Sequence, residues 1–260
     1  MTEETNASES EVQITPVEAS VLLSGAEWDP KLLATTLAQE WEITVPEKDL
    51  PADASESLVF EAEGAVIAVK LFEEPLPAEM ARMHAAMNPL WPQAGAMAQL
   101  HRAHLAVAAI PKTASLVEAA QVLVKVVSSL CNQPSALAID TGSTILGTDG
   151  YREGATVMKG GELPLFNLVT VAIAKADETN FVAFTMGMSF LGHNELEISP
   201  TAEKPEVIQE FLYTVASYTL KTGKGLRDGQ ILGLHPEKAQ AVRYAESSMI
   251  PGLKTMQITL

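Results

Sequence analysis

Hydrophobic and polar positions in the first half of the chain follow both helical and strand periods. Apolar residues four apart at Leu33, Leu37 and Trp41, after the helix-start pair Asp29-Pro30, predict a helix of about 12 residues. Apolar stretches on both sides of Glu63-Gly64 predict a hairpin of strands at 58–62 and 65–71. The pattern also predicts helices at 77–87, 93–102 and 115–130, and strands at 21–23, 105–110, 136–139 and 144–146.

The second half shows the same mixture of periods. A Gly-rich joint is expected at 147–161, and Leu196 and Ile198 alternate with Glu195 and Glu197, which predicts a strand with one face in solvent. Further strands are predicted at 165–174, 181–186, 230–234, 241–245 and 255–260, with a long helix at 207–220 that ends at Gly223. Antiparallel hairpins recur, so we predict an α+β fold: two α/β halves with mainly antiparallel sheets flanked by helices.

The organisation along the chain follows from these elements. Residues 1–16 lack periodicity and are predicted to be a disordered acidic leader. Residues 17–147 are predicted to form an N-terminal α+β half, and residues 148–260 a C-terminal α+β half.

Composition places the chain among globular proteins. Its 260 residues are 47% hydrophobic, which is enough for a sizeable core. The single cysteine, Cys131, excludes an internal disulfide and suits a reducing compartment. No apolar run reaches the roughly 18 residues of a membrane span, and the start of the chain lacks the pattern of a signal peptide. We therefore expect a cytoplasmic protein without a membrane partner.

The net charge of −16 is concentrated near the start of the chain. Residues 1–63 carry 15 acids and two bases, whereas residues 64–260 carry 18 acids and 15 bases. Phosphate backbones would be repelled, so direct nucleic-acid binding is not expected. A negative field of this kind can steer a basic partner protein to the surface. The alternative is an acidic face and tail that serve solubility alone.

The sequence Asp140-Thr141-Gly142-Ser143 matches the active-site signature of aspartic proteases. That mechanism needs two such carboxylates sharing a proton, and the chain contains no second Asp-Thr-Gly or Asp-Ser-Gly. A turn at the end of a strand explains the same residue types, so we interpret the segment as a turn.

Histidines and other reactive groups give no complete catalytic set. His84, His101 and His104 are candidates for zinc, but His101 and His104 share a helical face only if the helix continues past His101, and the strand predicted after it argues against that, so we interpret them as structural histidines. His193 and His235 lie in predicted loops without a matched partner. Phosphate-binding glycine motifs are missing, and Gly223-Lys224-Gly225 follows a helix, as a helix stop does. We therefore predict no catalytic residue, no cofactor and no metal, and Cys131 as a packing residue.

Several stretches resemble a bacterial family known chiefly as a domain of unknown function, over about residues 17–260. They are 21–24, 58–60, 100–105, 211–233 and the ending 242–260. The second half is also similar to the suppressor-of-fused-like domain, through 190–198 and Asp228-Gly229. Bacterial proteins with these domains are often immunity proteins encoded beside toxins, including effectors of type VI secretion. The resemblance therefore implies a non-enzymatic protein that binds a cognate toxin and blocks its active site.

The resulting hypothesis is an immunity protein whose partner is a basic toxin, most readily a nuclease. Four acids at the end of the first predicted helix and in the following loop form the candidate partner-binding patch: Glu40, Glu42, Glu47 and Asp49. The same acids could merely keep that face solvated. Two other classes stay open at this stage. One is a scaffold or regulatory binding protein that self-associates, and the other is an enzyme built around His or Asp residues.

Overall fold

A computed structural model describes residues 15–88, 91–234, 237 and 239–260. Almost all of the predicted leader, 1–16, lies outside these residues, as does His235. The described part has seven α-helices and 13 strands, in mainly antiparallel sheets. The predicted α+β class is therefore confirmed. In this part of the chain no helix has the length and apolar character needed to cross a membrane.

The first sheet has six strands, all antiparallel to their neighbours, in the order β2-β3-β4-β1-β5-β6. These strands are β1 (Val17–Leu23), β2 (Leu58–Ala62), β3 (Ala65–Phe72), β4 (Ala103–Pro111), β5 (Ala136–Asp140) and β6 (Ile145–Gly147). Local signals set their ends. Glu63 and Gly64 both have positive φ, 46° and 79°, as a tight two-residue hairpin turn between right-twisted strands requires.

Helices cover this sheet on both faces. Helices α1 (Pro30–Trp41), α4 (Leu116–Leu130) and α5 (Thr148–Ala155) lie on one face, and α2 (Ala78–Ala86) and α3 (Ala94–Leu100) lie on the other. Successive side chains of β1 point to opposite faces of the sheet. Val21 and Leu23 belong to the core under α4, whereas Leu22 belongs to the core under α2 and α3. Both faces of β1 are thus buried at its C-terminal end, from Val21 to Leu23.

Side-chain caps begin two of these helices, and the cap at Asp29 was predicted from the sequence. The Asp29 carboxylate accepts a hydrogen bond of 2.8 Å from the Lys31 backbone N–H, with Pro30 in the first turn. Ser115 and Glu118 form a complete capping box at the start of α4. The positions predicted for these two helices are confirmed.

The second sheet has five strands in the order β12-β13-β9-β8-β7, and only the β13–β9 pair is parallel. One long helix, α7 (Pro205–Thr222), packs on it and ends at Gly223 in the left-handed conformation, as predicted. The strands are β7 (Thr170–Lys175), β8 (Phe181–Met186), β9 (Leu196–Thr201), β12 (Arg243–Glu246) and β13 (Lys254–Ile258). A separate two-stranded ladder joins β10 (Ile231–Leu232) and β11 (Gln240–Ala241).

Two predictions at the middle of the chain are wrong. The segment expected as a Gly-rich joint, 147–161, forms α5 and a 3-10 helix at Thr156–Gly160, because Tyr151 and Ala155 are buried against the first core. The strand expected from residue 165 begins at Thr170, and Leu165–Leu168 is a helical turn, α6. Short apolar runs fit either structure, so local pattern could not decide between them.

Packing continues from the first half into the second. The core cluster that contains β1–β4 also includes Tyr151, Val169, Met188 and Leu220. The predicted boundary between residues 147 and 148 therefore lies inside a region of shared side-chain packing, although the division into two halves stays a prediction. Where the sheets meet, their loops and α2 leave a cleft.

Candidate functional site

A cavity of about 340 Å³ opens where α2, the turn after β5 and the loops of the second sheet come together. We call it the junction pocket. Its walls are rich in methionine and phenylalanine: Met83 and Met87 from α2, Phe184 and Met186 from β8, and Phe190 from the loop that follows. Met83 is 58% exposed and Phe190 is 49% exposed, which is unusual for side chains of this kind.

A histidine–carboxylate pair borders the junction pocket. Nδ1 of His84 lies 2.8 and 2.9 Å from the two carboxylate oxygens of Asp140, which is only 3% exposed. The Gly142 backbone N–H donates a further hydrogen bond of 2.7 Å to Asp140. When the ring is neutral and Nδ1–H donates to the carboxylate, Nε2 carries the lone pair. In the described residues no hydrogen bond reaches Nε2.

The Asp-Thr-Gly-Ser segment is the turn between β5 and β6, as interpreted from the sequence. The Thr141 backbone N–H donates to the Thr144 carbonyl at 3.0 Å, and Gly142 has a φ of +80°. Asp140 thus pairs with a histidine of α2 and holds that helix against the end of β5.

A buried glutamate, Glu195, shapes one wall of the pocket. It is 4% exposed and accepts five hydrogen bonds: from the backbone N–H groups of Gly187, Met188 and Ser189, and from the hydroxyls of Thr185 and Ser189. These bonds fix the tight loop after β8, which brings Phe190 to the rim.

A second buried glutamate, Glu197, fixes the opposite loop. It is 1% exposed and accepts hydrogen bonds from the hydroxyls of Ser247, Ser248 and Thr255 and from the Ser248 backbone N–H. Burial acts to raise the pKa of Glu197, but these hydrogen bonds outweigh it and leave the pKa below its ordinary value of 4.5. The anchored loop carries Ile250 and Leu253 to the pocket.

The predicted solvent face of this strand is therefore wrong. Leu196 and Ile198 do pack in the second core, but Glu195 and Glu197 are buried on the other side. Alternation of residue types showed the period correctly. It could not show that hydroxyl and N–H donors from distant loops would satisfy both carboxylates.

His101 and His104 are occupied by internal hydrogen bonds. Nε2 of His101 accepts from the Leu76 backbone N–H at 2.9 Å while its Nδ1–H donates to the Ala98 carbonyl, and burial lowers its pKa. His104 donates to the Glu74 carbonyl and stacks on Phe72. Within the described residues no group of three or more His, Cys, Asp or Glu side chains is placed to hold a metal ion.

Cys131 and two serines that line the pocket, Ser143 and Ser189, also have structural environments. The Cys131 thiol donates to the Val127 carbonyl at the end of α4, and burial raises its pKa to about 12, so it is protonated at neutral pH. The Ser189 hydroxyl donates to Glu195, and the Ser143 hydroxyl lies 3.2 Å from that of Thr141. Neither serine forms a hydrogen bond with His84 in the described part of the chain.

The four acids of the predicted partner-binding patch have different surroundings. Glu40 forms an ion pair of 3.0 Å with Arg152 of α5. Glu42 and Glu47 are exposed, the first as the left-handed C-cap of α1 and the second at the start of a short 3-10 helix, Glu47–Asp49. Asp49 is half-buried. Lys48 is exposed between Glu47 and Asp49, so the patch also carries one positive charge.

The C-terminal segment has a family assignment. Residues 184–259 match the model of a family described as a domain of unknown function, DUF4261. This segment contains the end of β8 and all of β9, α7 and β13, and it supplies the Glu195 loop and the Glu197 loop to the junction pocket. Comparison with curated proteins and with solved structures gave no match. The wider resemblance over 17–260, the suppressor-of-fused-like second half and the association with toxins stay predictions.

Sequence reasoning did not find the junction pocket, since its residues extend from Met83 to Leu253. The methionine-rich pattern of the second helix was the one local signal. His84 and Asp140 were each noticed, but nothing in the sequence indicates that they form a pair.

Proposed function

We propose that this chain is a protein inhibitor that captures and neutralises a basic protein, acting as an immunity protein towards a toxin. The acidic surface carries the proposal. In residues 15–63 there are 11 acids and two bases, and only three of those acids, Glu40, Glu61 and Glu63, form ion pairs within the described part of the chain. Most of this negative charge is thus available to a partner.

Charge of this sign suits a partner that itself recognises anions. Nucleases are commonly basic because their substrate is a polyanion, and an acidic inhibitor competes for the same surface. Opposite potentials also accelerate diffusional encounter and disfavour wrong partners. A nuclease toxin is therefore the partner class we favour, without direct contact between this chain and nucleic acid.

The two buried carboxylates at the junction pocket hold loops and a helix in place. Asp140 and Glu195 have their oxygens occupied by hydrogen bonds that hold α2 and the loop after β8. A general acid or base has to exchange its proton with a substrate, which these arrangements restrict. Met83 and Phe190 at the rim offer the apolar contact area from which protein interfaces draw most of their affinity.

Affinity capture tests the proposal. The full chain is immobilised, exposed to a lysate of the organism that carries its gene at low and moderate salt, and the retained proteins are identified by mass. We expect one basic protein at about 1:1, whose toxicity in a host cell is relieved when this chain is expressed with it. Retention of copies of this chain alone, or a captured protein that is harmless to the host, would overturn the proposal.

The exposed acids provide a variant pair for the same assay. Glu42→Lys with Glu47→Lys reverses charge in the predicted patch, and Glu178→Lys with Glu210→Lys makes the same net change on exposed residues of the second half. We expect the first pair to weaken neutralisation and the second to change it less. Equal effects would show that the four-acid patch is not the main contact, and that only the total negative charge of the chain matters for neutralisation.

A second candidate function is a self-associating scaffold, and one feature of the first sheet favours it. The outer face of β3 and β4 is not covered by α2 or α3, and it exposes apolar side chains in part, among them Val66, Phe72, Ala106 and Ile110. Val59 of the edge strand β2 is 48% exposed beside them. A dimer that light scattering detects at low and high salt alike, and that Val59→Lys dissociates, would favour this candidate.

A further inference from the structure

We propose that the junction pocket is an anchor site for a tyrosine or tryptophan side chain of the partner, an aromatic ring that carries one O–H or N–H donor. The inference rests on the proposed function, because the ring comes from the captured protein. Tyrosine and tryptophan dominate the energetics of protein interfaces, since they combine a large apolar body with one hydrogen-bonding group.

The histidine–carboxylate pair sets the polarity of the pocket. Asp140 is buried and both of its oxygens lie within hydrogen-bond distance of Nδ1 of His84, so Nε2 is the acceptor when the ring is neutral. His84 lines the pocket, and Nε2 is the ring nitrogen left for an occupant. An acceptor in an apolar cavity favours an occupant with a donor. An anionic occupant would meet the charge of Asp140 behind the ring and is disfavoured.

The remaining walls suit the face and edge of an aromatic ring. Thioether sulfurs from Met83, Met87 and Met186 make favourable contacts with aromatic rings, and their flexible chains adapt to the shape of an occupant. Phe184 and Phe190 supply further ring–ring contacts. The volume of about 340 Å³ is in the range of pockets that accept small aromatic groups.

The pocket is held open by buried hydrogen bonds rather than by exposed side chains alone. Glu195 fixes the loop that carries Phe190, and Glu197 fixes the loop that carries Ile250 and Leu253. A preformed site loses little conformational entropy when it is filled. Both glutamates therefore contribute to binding as positioning residues.

Three small probes test the pocket without the partner. The full-length protein, labelled with ¹³C at its methionine methyl groups, is titrated with p-cresol, with its methyl ether 4-methylanisole and with toluene. We expect all three to shift the methyl signals of Met83, Met87 and Met186, and p-cresol to bind at least about fivefold more tightly than 4-methylanisole, because only p-cresol donates a hydrogen bond. Equal affinities, or no shift at these methyl groups, would overturn the inference.

Asp140→Asn gives the sharper variant. The Gly142 N–H keeps the amide oxygen, so the amide NH₂ faces His84 and donates to Nδ1. The ring proton then moves to Nε2, which becomes a donor. The preference for p-cresol over 4-methylanisole is expected to vanish while toluene affinity stays within about twofold. A preference that survives in this variant would contradict the assignment of Nε2.

His84→Phe is the companion variant, since it keeps a ring in place and removes the acceptor. It should bind toluene and lose the preference for p-cresol, and a retained preference would again contradict the inference. If a basic partner is captured by a chain whose pocket does not bind p-cresol, the anchor inference fails and the proposed function stands. If p-cresol binds as expected and no basic partner exists, the proposed function fails and the pocket is still a site for an aromatic donor.

Discussion

At the scale of single residues, the two glutamates of one strand carry much of the local order. Glu195 accepts five hydrogen bonds and Glu197 accepts four, although both are almost completely buried. A buried carboxylate is tolerated only where donors surround it, and these donors come from loops that have little other packing. Each glutamate therefore stabilises a loop conformation as well as its own charge.

Glu197→Gln should lower the free energy of unfolding by about 2 kcal/mol at neutral pH, because an amide replaces one acceptor with a donor and weakens the charge-assisted bonds. The matched control is Glu246→Gln, a glutamate whose side chain is 67% exposed, and its effect should stay below about 0.5 kcal/mol. Urea unfolding followed by circular dichroism measures both.

The pH dependence of the same variant has a defined sign. Since the pKa of Glu197 is lower in the folded protein than its ordinary 4.5, its contribution to stability is complete above about pH 4.5 and is lost as the pH falls through the folded-state pKa. The wild type should therefore lose stability faster than Glu197→Gln below pH 4.5. Parallel curves for the two proteins would refute the assigned cause.

The lowered pKa of His101 predicts a second pH range in which stability changes. Burial lowers its pKa below 6.5 in the folded state, so the unfolded chain takes up a proton first and stability falls as the pH drops below about 6.5. His101→Gln can keep both hydrogen bonds and should flatten the change in melting temperature between pH 7.5 and 5.5. His193→Gln, at a half-buried loop position, is the control that should keep the wild-type change.

At the scale of elements, the loop after β8 packs closely against the chain that leads into β7. Gly187 has a φ of +116°, and a Cβ built there would lie 2.2 Å from the carbonyl oxygen of Leu168. Gly161 also has a positive φ, +77°, but a Cβ at that position meets nothing within 4 Å. A substitution at Gly161 therefore tests the backbone conformation alone, whereas a substitution at Gly187 tests the backbone conformation together with a steric clash.

Gly187→Ala should destabilise the protein by at least about 3 kcal/mol, and Gly161→Ala by about 1 kcal/mol, because only the first adds a clash to the left-handed conformation. Thermal unfolding of both variants measures the difference. Similar losses of stability for the two variants would show that the backbone near Leu168 can shift to accommodate a Cβ at Gly187.

Elements with local signals were predictable, and those that depend on distant packing were not. The hairpin at Glu63-Gly64 and the helix starts at Asp29 and Ser115 are encoded within a few residues, by turn and capping chemistry. Helix α5 contains two glycines and lacks a side-chain cap, so its local sequence favours a loop. Burial of Tyr151 against the first core decides its structure.

At the scale of the whole molecule, charge and cavity lie in different parts of the chain. The acidic excess belongs to residues 1–63 and could be counted from the sequence, whereas the junction pocket depends on α2, β8 and two anchored loops. The proposed function gives them successive roles: the charge would bring a basic partner to the surface, and the pocket would hold one of its aromatic side chains. No single stretch of sequence contains both parts of the candidate site.

The rate of association with the captured partner tests this account most directly. Stopped-flow measurements at about 0.05 M and about 0.5 M salt compare weak with strong screening of the acidic surface. The account predicts that the association rate constant falls at least about tenfold at the higher salt, with a smaller change in the dissociation rate. An association rate that does not change with salt would contradict the central claim that the acidic surface recruits the partner.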